Sequence, residues 1–288
     1  MINSVIKIAP LTANLGAVIT GVDLAQPISS DDFNTIRQAF AQYGVIFFRD
    51  QQLTPEQHIA FAKRWAPIEI NPFFKAVPGY PEIAEVRKDA EQTTNIGGDW
   101  HTDHSYNAVP AMGSMLLARE LPPQGGDTLF ADMGLAYEAL SAGLKITLNG
   151  LRAVHSANHV FGKQGGYAKL RDVGQRIGAD APINADVVHP VVIAHPDTGR
   201  KTLYVNAAFT VRFEGWTEQE SAGLLQYLYQ HAASPQFCCR FEWQAGSMAF
   251  WDNRATWHRA LNDYPGYLRL MHRITVEGSP LASPPAQK

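Results

Sequence analysis

The chain contains many short apolar runs of strand length, and this pattern most constrains its fold. The runs are bounded by glycine, asparagine and aspartate, which favour turns, and they do not alternate with helices in regular βαβ units. This arrangement is typical of a β-sandwich or jelly roll rather than a parallel α/β fold. The seven runs are GVIFFRD, GSMLLARE, DTLFADM, VVHPVVIAHP, KTLYVNAAF, FCCRFEW and SMAFWDN.

Four other segments carry helical signals. In SSDDFNTIRQAFAQYG, Ser29 or Ser30 is the candidate N-cap and acidic residues follow in the first turn. In LTPEQHIAFAKRW, Thr54 is the candidate N-cap and Pro55 takes the first helical position. LAYEALSAGLKITLNG and TEQESAGLLQYLYQHAAS have apolar residues at helical spacing. The sequence therefore predicts a mainly β fold with flanking α-helices.

Neither an internal repeat nor a linker divides the sequence, so we predict a single domain over residues 1–278. The stretch 162–186 is glycine-rich and polar, and we expect it to form a mobile lid. The end of the chain, 279–288, is rich in proline and serine and is expected to be a flexible tail.

Composition excludes several classes of protein. Of the 288 residues, 45% are hydrophobic and 18% are charged, as in an ordinary globular protein. With a net charge of −3 and no run of lysine or arginine, we expect neither nucleic acid nor an anionic membrane as a partner. No apolar run approaches the roughly 20 residues of a membrane span, and a secretory leader is not evident. The two cysteines, Cys238 and Cys239, are adjacent, which is poor geometry for a disulfide between them. We expect a cytoplasmic protein.

Two His-x-Asp pairs are candidate metal ligands. His195 and Asp197 flank a proline in VVIAHPDTGRKTLYV, which reads as two strands around a turn, so we place them at a hairpin tip without a ligand role. His101 and Asp103 lie in an extended stretch, where positions i and i+2 face the same side and can reach one ion. His104 would face the other side. The site is then one histidine short.

The last fifty residues supply that histidine and two arginines. His258 follows the strand SMAFWDN and is expected on a loop. In the final strand, YLRLMHRITV, alternation places His272 on an apolar face and Arg269 and Arg273 on the other. The arginines either lie at a solvent-facing edge or line a pocket. Arginine suits bidentate binding of carboxylate, sulfonate or phosphate, and a separation of about 13 Å would need two anions or one long dianion.

The spacing of five residues resembles the signature of a known family. His101-x-Asp103, Thr128, His258 and Arg269 follow one another as in the Fe(II)/2-oxoglutarate dioxygenases of the TauD/TfdA family, named for taurine and chlorophenoxyacetate. The segments WHTD, ELPPQGGDTLFADM, FWDNRATWHRA and LMHR also resemble family segments and occur in family order. The resemblance extends over most of the chain and implies a double-stranded β-helix (jelly roll, cupin-like) core.

The resemblance also implies an oxidoreductase with a specific set of cofactors. Two histidines and one carboxylate bind Fe(II) on one face, so His101, Asp103 and His258 are the expected ligands. The cosubstrate 2-oxoglutarate is expected to fill two open positions, with its far carboxylate on Arg269 and Thr128, and dioxygen the third. Hydroxylation of the substrate is coupled to decarboxylation of 2-oxoglutarate to succinate and CO2.

The resemblance further suggests which residues meet the substrate. An ungapped alignment places Asn71, Phe74 and Gly97 where taurine dioxygenases have polar contacts, while Arg273 is kept as the anion anchor. Phe161 and Phe209 match aromatic wall positions, and His104 is expected at the rim of the pocket or behind the metal ligands. The predicted substrate-binding residues are thus Arg273, Asn71, Phe74, Gly97, His104, Phe161 and Phe209.

Because this pocket is smaller and more apolar than a taurine site, we expect a small organic anion with an apolar or aromatic tail, similar to an aryloxyalkanoate. The alternative is taurine, an alkylsulfonate or a sulfate ester. Two further classes stay open: a zinc hydrolase with the same ligands and a non-catalytic jelly-roll binding protein. We also expect a homo-oligomer, either a dimer or a tetramer.

Overall fold

The computed structural model describes residues 6–163, 165–167 and 183–285. These residues form strands and α-helices in mixed order. The strands are β1 Lys7–Pro10, β2 Ala17–Thr20, β3 Val45–Phe48, β4 Ile68–Glu69, β5 Ala76–Val77, β6 Tyr80–Lys88, β7 Gly113–Glu120, β8 Thr128–Asp132, β9 Arg152–His155, β10 Val187–Pro190, β11 Val192–Ala194, β12 Lys201–Leu203, β13 Thr210–Phe213, β14 Cys238–Phe241, β15 Met248–Asp252, β16 Thr256–Ala260 and β17 Arg269–Val276. The helices are α1 Ser30–Tyr43, α2 Pro55–Lys63, α3 Met133–Glu138, α4 Ala142–Leu148, α5 Asn158–Phe161 and α6 Glu218–Ala232.

Two facing sheets form the core of the molecule. The major sheet has the order β1-β2-β3-β15-β7-β17-β6-β5, with β4 added beside β17, and the minor sheet has the order β14-β8-β16. Buried side chains from both sheets pack together between them, among them Phe47, Phe130, Phe241, Trp251 and Met271. The predicted jelly-roll core with flanking helices is confirmed.

Alternation along the strands explains why the major-sheet runs are apolar at every position. In β3, Val45 and Phe47 point into the space between the sheets, whereas Ile46 and Phe48 point towards the helices. Each face of the strand is therefore covered, and successive side chains are buried on opposite sides. Burying a side chain of this size stabilises the fold by about 1.5–3 kcal/mol.

Helices α1 and α2 cover the outer face of the major sheet and begin at the predicted residues. The Ser29 side chain accepts from the backbone N–H of Asp32, and Thr54 forms a reciprocal capping box with Gln57. The segment LAYEALSAGLKITLNG divides into α3 and α4, because the Ser141 hydroxyl caps a new helix. Phe33, Ile36 and Phe40 of α1 pack into the helix-side core.

Helices α3, α4 and α6 and the small sheets form a further apolar core beside the sandwich. Strands β10-β9-β13 and β11-β12 pair there, and α6 contributes Leu225 and Leu228. Within the expected flexible tail, the carbonyl of Ala282 accepts a hydrogen bond of 2.9 Å from the N–H of Ala194. Most of the predicted lid, including 168–182, lies outside the described residues, as do 286–288. No helix in the described part of the chain is long and apolar enough to cross a membrane.

Candidate active site

Two histidines are brought together by backbone pairing along the β16 edge of the minor sheet. His258 lies on β16 rather than on the predicted loop. Its N–H donates to the carbonyl of His101 at 2.8 Å, and the N–H of His101 donates to the carbonyl of His258 at 3.1 Å. The two imidazole centroids are 4.1 Å apart. This reciprocal pair fixes both rings beside each other, although the residues are far apart in sequence.

Asp103 completes the cluster from the first position of a turn. Its Oδ1 lies 3.8 Å from His101 Nε2, and its Oδ2 lies 4.0 Å from His258 Nε2. One ligand atom from each of the three side chains falls within 4.8 Å of the others, and all three residues are buried. Two imidazoles and one carboxylate around a common point are a donor set suited to Fe(II).

Hydrogen bonds orient the ligand atoms before any ion binds. His101 Nδ1 lies 2.7 Å from the carbonyl oxygen of Asp99. Since a carbonyl only accepts, Nδ1 carries the proton and leaves the Nε2 lone pair for a metal. The Ser114 hydroxyl donates to Asp103 Oδ2 at 2.8 Å, and this bond fixes the orientation of the carboxylate.

Burial and neighbouring charge favour the metal-binding protonation states. Burial is the largest influence on His258 and holds its pKa well below the usual value, so the ring is neutral. Burial alone would raise the pKa of Asp103, but neighbouring positive charge, that of Arg273 first, outweighs it and holds that pKa well below its ordinary range. The site therefore offers a neutral imidazole and an ionised carboxylate at neutral pH.

The second His-x-Asp pair belongs to an ion-pair network. His195 is buried rather than exposed at the hairpin tip, and its Nε2 lies 3.0 Å from Asp252 Oδ2. Arg254 donates to Asp252 at 2.6 Å and to Asp197 at 2.7 Å, so its guanidinium lies among the carboxylates that a metal would need. This network secures the turn between β15 and β16, and the absence of a ligand role for His195 and Asp197 stays a prediction.

The His101–Asp103–His258 cluster opens onto a cavity of about 360 Å³, and Arg269 lies at its wall with Thr128. Arg269 is 5% exposed, and its Nε and Nη2 have no hydrogen-bond partner among the residues the structure describes. Trp243 Nε1 donates to the Thr128 hydroxyl at 3.0 Å, which leaves the hydroxyl proton of Thr128 to donate elsewhere. Buried donors without acceptors are costly, so this wall suits a carboxylate. Gly126 adopts a left-handed φ of 73°, which favours glycine, and a Cβ there would also lie 3.2 Å from Arg269 Cδ.

Arg273 lines the same cavity beside the metal-ligand cluster. Its Nη1 lies 3.4 Å from Asp103 Oδ1, its guanidinium carbon lies 4.6 Å from the centroid of Phe74, and its Nε has no partner in the described ranges. Strand β17 runs between β6 and β7, so neither arginine lies at a solvent-facing edge. The sequence left two locations open for Arg269 and Arg273, a solvent-facing edge or a pocket, and the structure supports the pocket.

The predicted substrate-binding residues divide into two groups. Phe74, Gly97, Phe161 and Phe209 line the cavity with Arg273. Asn71 and His104 are not among its lining residues.

The other hydrogen bonds of Asn71 show which atom donates in the contact between Asn71 and His104. Asn71 Oδ1 accepts from the backbone N–H of Phe73 at 2.9 Å and of Phe74 at 3.1 Å. Its Nδ2 must then be the donor to His104 Nε2, 3.3 Å away, so the proton of the imidazole lies on Nδ1. That proton is donated to Glu69 Oε1 at 2.9 Å. The polar atoms of Asn71 and His104 that form these bonds are thus engaged within the protein.

The sequence predicted correctly that the His104 side chain faces away from Asp103, but strand alternation is not the cause. The extended stretch ends at Asp103, and His104 adopts a left-handed φ of 58° inside a turn. The side chain is turned away from the cluster by this backbone conformation.

Several lining residues were missed in the sequence. Tyr106, His159 and Tyr167 line the cavity, and the Tyr167 hydroxyl accepts from the N–H of Gly97 at 3.1 Å. Tyr106 follows the ligands closely in DHSYN, but no local pattern distinguishes a lining tyrosine from a core one. Tyr167 lies in the stretch expected to be a lid, and Asp99 contributes only a backbone carbonyl, which sequence cannot single out.

A jelly roll with two histidines and one carboxylate on one side of a buried cavity defines the class of non-haem iron oxygenases. The family model described as Taurine catabolism dioxygenase TauD, TfdA family matches residues 7–275. The chain is 34% identical over 284 residues to the (S)-phenoxypropionate/alpha-ketoglutarate-dioxygenase of Sphingobium herbicidovorans, covering 95% of each. It is 32% identical over 275 residues to an alkylsulfatase of Acinetobacter baylyi, covering 95% of this chain and 85% of that one.

A solved structure agrees with these relatives. The crystal structure of a taurine dioxygenase from Burkholderia xenovorans has a TM-score of 0.82 at 35% identity, covering 98% of this chain and 94% of that one. The chain belongs to the TauD/TfdA family, as the motifs predicted. It is an oxidoreductase, a dioxygenase that depends on Fe(II), 2-oxoglutarate and dioxygen. The zinc hydrolase and the non-catalytic binding protein are set aside.

Proposed function

We propose that His101, Asp103 and His258 hold the Fe(II), and that Thr128 and Arg269 bind the far carboxylate of 2-oxoglutarate. The unpartnered, buried donors of Arg269 support this assignment, because they need an anion and lie on the wall of the same cavity. When bound, iron and 2-oxoglutarate supply the oxidising power with dioxygen, and the cosubstrate leaves as succinate and CO2.

The substrate of this proposal is a small organic anion with an apolar or aromatic tail, of the aryloxyalkanoate kind. The observation that carries it is Arg273, a buried guanidinium with an unpartnered Nε that faces a cavity walled by Phe74, Phe161 and Phe209. The guanidinium would bind the anion close to the metal ligands, and the aromatic side chains would pack against the tail. The carbon next to the anion would then lie nearest the iron.

Taurine fits this cavity less well than an aromatic acid. Its ammonium group would need several acceptors, but Asn71 Oδ1 already accepts two backbone N–H groups and the His104 Nε2 lone pair faces Asn71, which leaves mainly aromatic rings and tyrosine hydroxyls around the tail. A buried ammonium without acceptors is costly. Alkylsulfonates and sulfate esters lack that group and remain the second candidate, which the similarity to an alkylsulfatase favours.

Succinate formation tests the proposal. The enzyme is assayed with Fe(II), ascorbate and 2-oxoglutarate plus either a phenoxypropionate, an n-alkyl sulfate or taurine. We expect turnover of phenoxypropionate and little of taurine. If taurine is the better substrate, the proposed apolar pocket is wrong; if only the alkyl sulfate is turned over, the second candidate replaces the first.

The role of Arg273 has its own variant. Arg273→Ala should raise the KM for the anionic substrate and leave slow consumption of 2-oxoglutarate that is not coupled to substrate oxidation. An unchanged substrate KM would contradict the assignment. The cytoplasmic location and the dimer or tetramer stay predictions.

A further inference from the structure

A second cavity lies directly behind the aromatic side of the active site. Its volume is about 150 Å³. Its lining includes Glu69, Pro72, Phe73, His104, Asn107 and Ala157. Tyr106 lines both this smaller cavity and the active-site cavity.

Aromatic rings form the wall between the two cavities, and at Tyr106 this wall is a single ring. Phe161 lines the active-site cavity and Phe73 lines the smaller one, and their rings stack with centroids 4.2 Å apart. Tyr106 meets Phe161 edge to face at 5.9 Å and Phe209 at 4.8 Å. Replacing Tyr106, which borders both spaces and is not itself one of the proposed metal ligands, would therefore connect the two cavities.

Tyr106 contributes to this wall through its ring. It is 7% exposed, and its hydroxyl makes no hydrogen bond to residues 6–163, 165–167 or 183–285. On its other face the ring stacks on His104 with centroids 5.6 Å apart. Since His104 is held by Glu69 and Asn71, the ring has a fixed support behind it.

We propose that Tyr106 is the residue that limits the length of the substrate tail, by separating the active site from a cavity that would otherwise extend it. This inference rests on the proposed function: when Arg273 binds the anion, the tail of the substrate extends towards the aromatic side chains that line the cavity. A tail that reaches the Tyr106 ring can grow no further without displacing it. Removing the ring would add the smaller cavity to the space for the tail, without changing the anion site.

The test compares wild type, Tyr106→Ala and Tyr106→Phe on phenoxypropionates with 4-methyl, 4-propyl and 4-pentyl groups. In wild type and Tyr106→Phe, kcat/KM should fall steeply as the group lengthens. Tyr106→Ala should raise the 4-pentyl to 4-methyl ratio of kcat/KM at least about tenfold, since even one methylene in an apolar pocket changes such ratios by roughly 10- to 200-fold. Binding of the same acids, measured by calorimetry without dioxygen, should move in the same direction.

A further variant separates this effect from general loosening of the site. Ala157 is buried at the wall of the smaller cavity, so Ala157→Leu in the Tyr106→Ala background refills that space and should reverse the gain. Tyr106→Leu serves as the milder change if Tyr106→Ala unfolds, which thermal denaturation monitors. An unchanged ratio in a folded variant, or a gain that Ala157→Leu leaves intact, would overturn the proposal. If no phenoxypropionate is turned over, the proposed substrate fails instead, and the length limit is measured with n-alkyl sulfates of rising chain length.

Discussion

His104 donates from Nδ1 to Glu69 Oε1 across 2.9 Å while its backbone is in the left-handed region, at a φ of 58°. This conformation costs a non-glycine residue roughly 1–2 kcal/mol, which the buried hydrogen bond offsets. The turn begins at Asp103, the proposed metal ligand. The same imidazole accepts from Asn71, whose side chain fixes the backbone of Phe74 beside Arg273. The hydrogen bonds of His104 therefore connect the turn at Asp103 to Arg273, the proposed anion-binding residue.

Glu69→Ala should therefore weaken substrate binding although Glu69 does not line the active-site cavity. An unpaired His104 N–H costs about 1–3 kcal/mol, and we expect the substrate KM to rise about tenfold while the KM for 2-oxoglutarate is kept. Glu69→Gln retains an acceptor oxygen and should stay close to wild type. Initial rates with each reactant varied in turn give both constants. An equal rise in both would indicate a general disturbance of the site and contradict this role.

Arg269→Met should act on the other reactant. Removing one partner of a buried charge pair costs about 2–5 kcal/mol, so the KM for 2-oxoglutarate should rise at least about 30-fold. Arg269→Lys should restore only part of the affinity, because an ammonium cannot grip a carboxylate bidentately. Thr128→Val, which removes one neutral donor, should cost less than Arg269→Met. Titration of 2-oxoglutarate in the succinate assay measures all three, and an unchanged KM in Arg269→Met would rule out the assignment.

Arg254→Met should destabilise the fold itself. The variant leaves the Asp252 carboxylate buried and short of its main partner, and such a loss costs about 3–5 kcal/mol. The matched control is Arg152→Met, which removes an exposed pair with Glu214 and should cost at most about 1 kcal/mol. Urea denaturation at neutral pH gives both free energies of unfolding. Similar losses in the two variants would argue against the importance of the buried network.

His58 predicts a specific dependence of stability on pH. The ring is fully buried, both its nitrogens lack partners in the described structure, and burial, followed by His272 and Arg119, lowers its pKa from 6.5 to about 3. Between those two values the unfolded chain binds a proton that the native chain does not. This residue therefore lowers the stability of the fold as pH falls from about 6.5, by up to about 1.4 kcal/mol per pH unit.

His58→Leu removes this contribution and should lose less stability on acidification than wild type. Urea denaturation at pH 7, 6 and 5 measures the free energy of unfolding of both proteins. Because the other titrating groups are present in both, the difference between the two curves reports the contribution of His58. Parallel stability curves for the two proteins would show that the His58 ring is not held neutral by burial.

Much of the fold could be predicted because its signals are local. Serine and threonine caps fix the starts of α1 and α2, and strand-length apolar runs mark the two sheets. The spacing of His101 and Asp103 identified them as candidate metal ligands, and the structure brings them together with His258. The shared strand face of Arg269 and Arg273 predicted correctly that they lie on the same side, where both line the cavity.

The remainder depends on contacts between distant residues. His258 was expected on a loop, since nothing in TWHRA reveals its pairing with β8 and with His101. Asn71 was expected to contact the substrate and His104 to lie at the pocket rim or behind the metal ligands. The left-handed turn at His104 instead places these two side chains in a hydrogen bond with each other, which the sequence does not reveal. Tyr106 borders two cavities, a property that exists only once the chain has folded.

The most direct test of the central claim is the visible charge-transfer band that forms when Fe(II) and 2-oxoglutarate are added to the enzyme without dioxygen. The proposed site predicts a band in wild type, its loss in Asp103→Ala, and a higher 2-oxoglutarate concentration for half-saturation in Arg269→Met. A band of full intensity in Asp103→Ala, or no band in wild type, would contradict the assignment of this cavity as the iron and 2-oxoglutarate site.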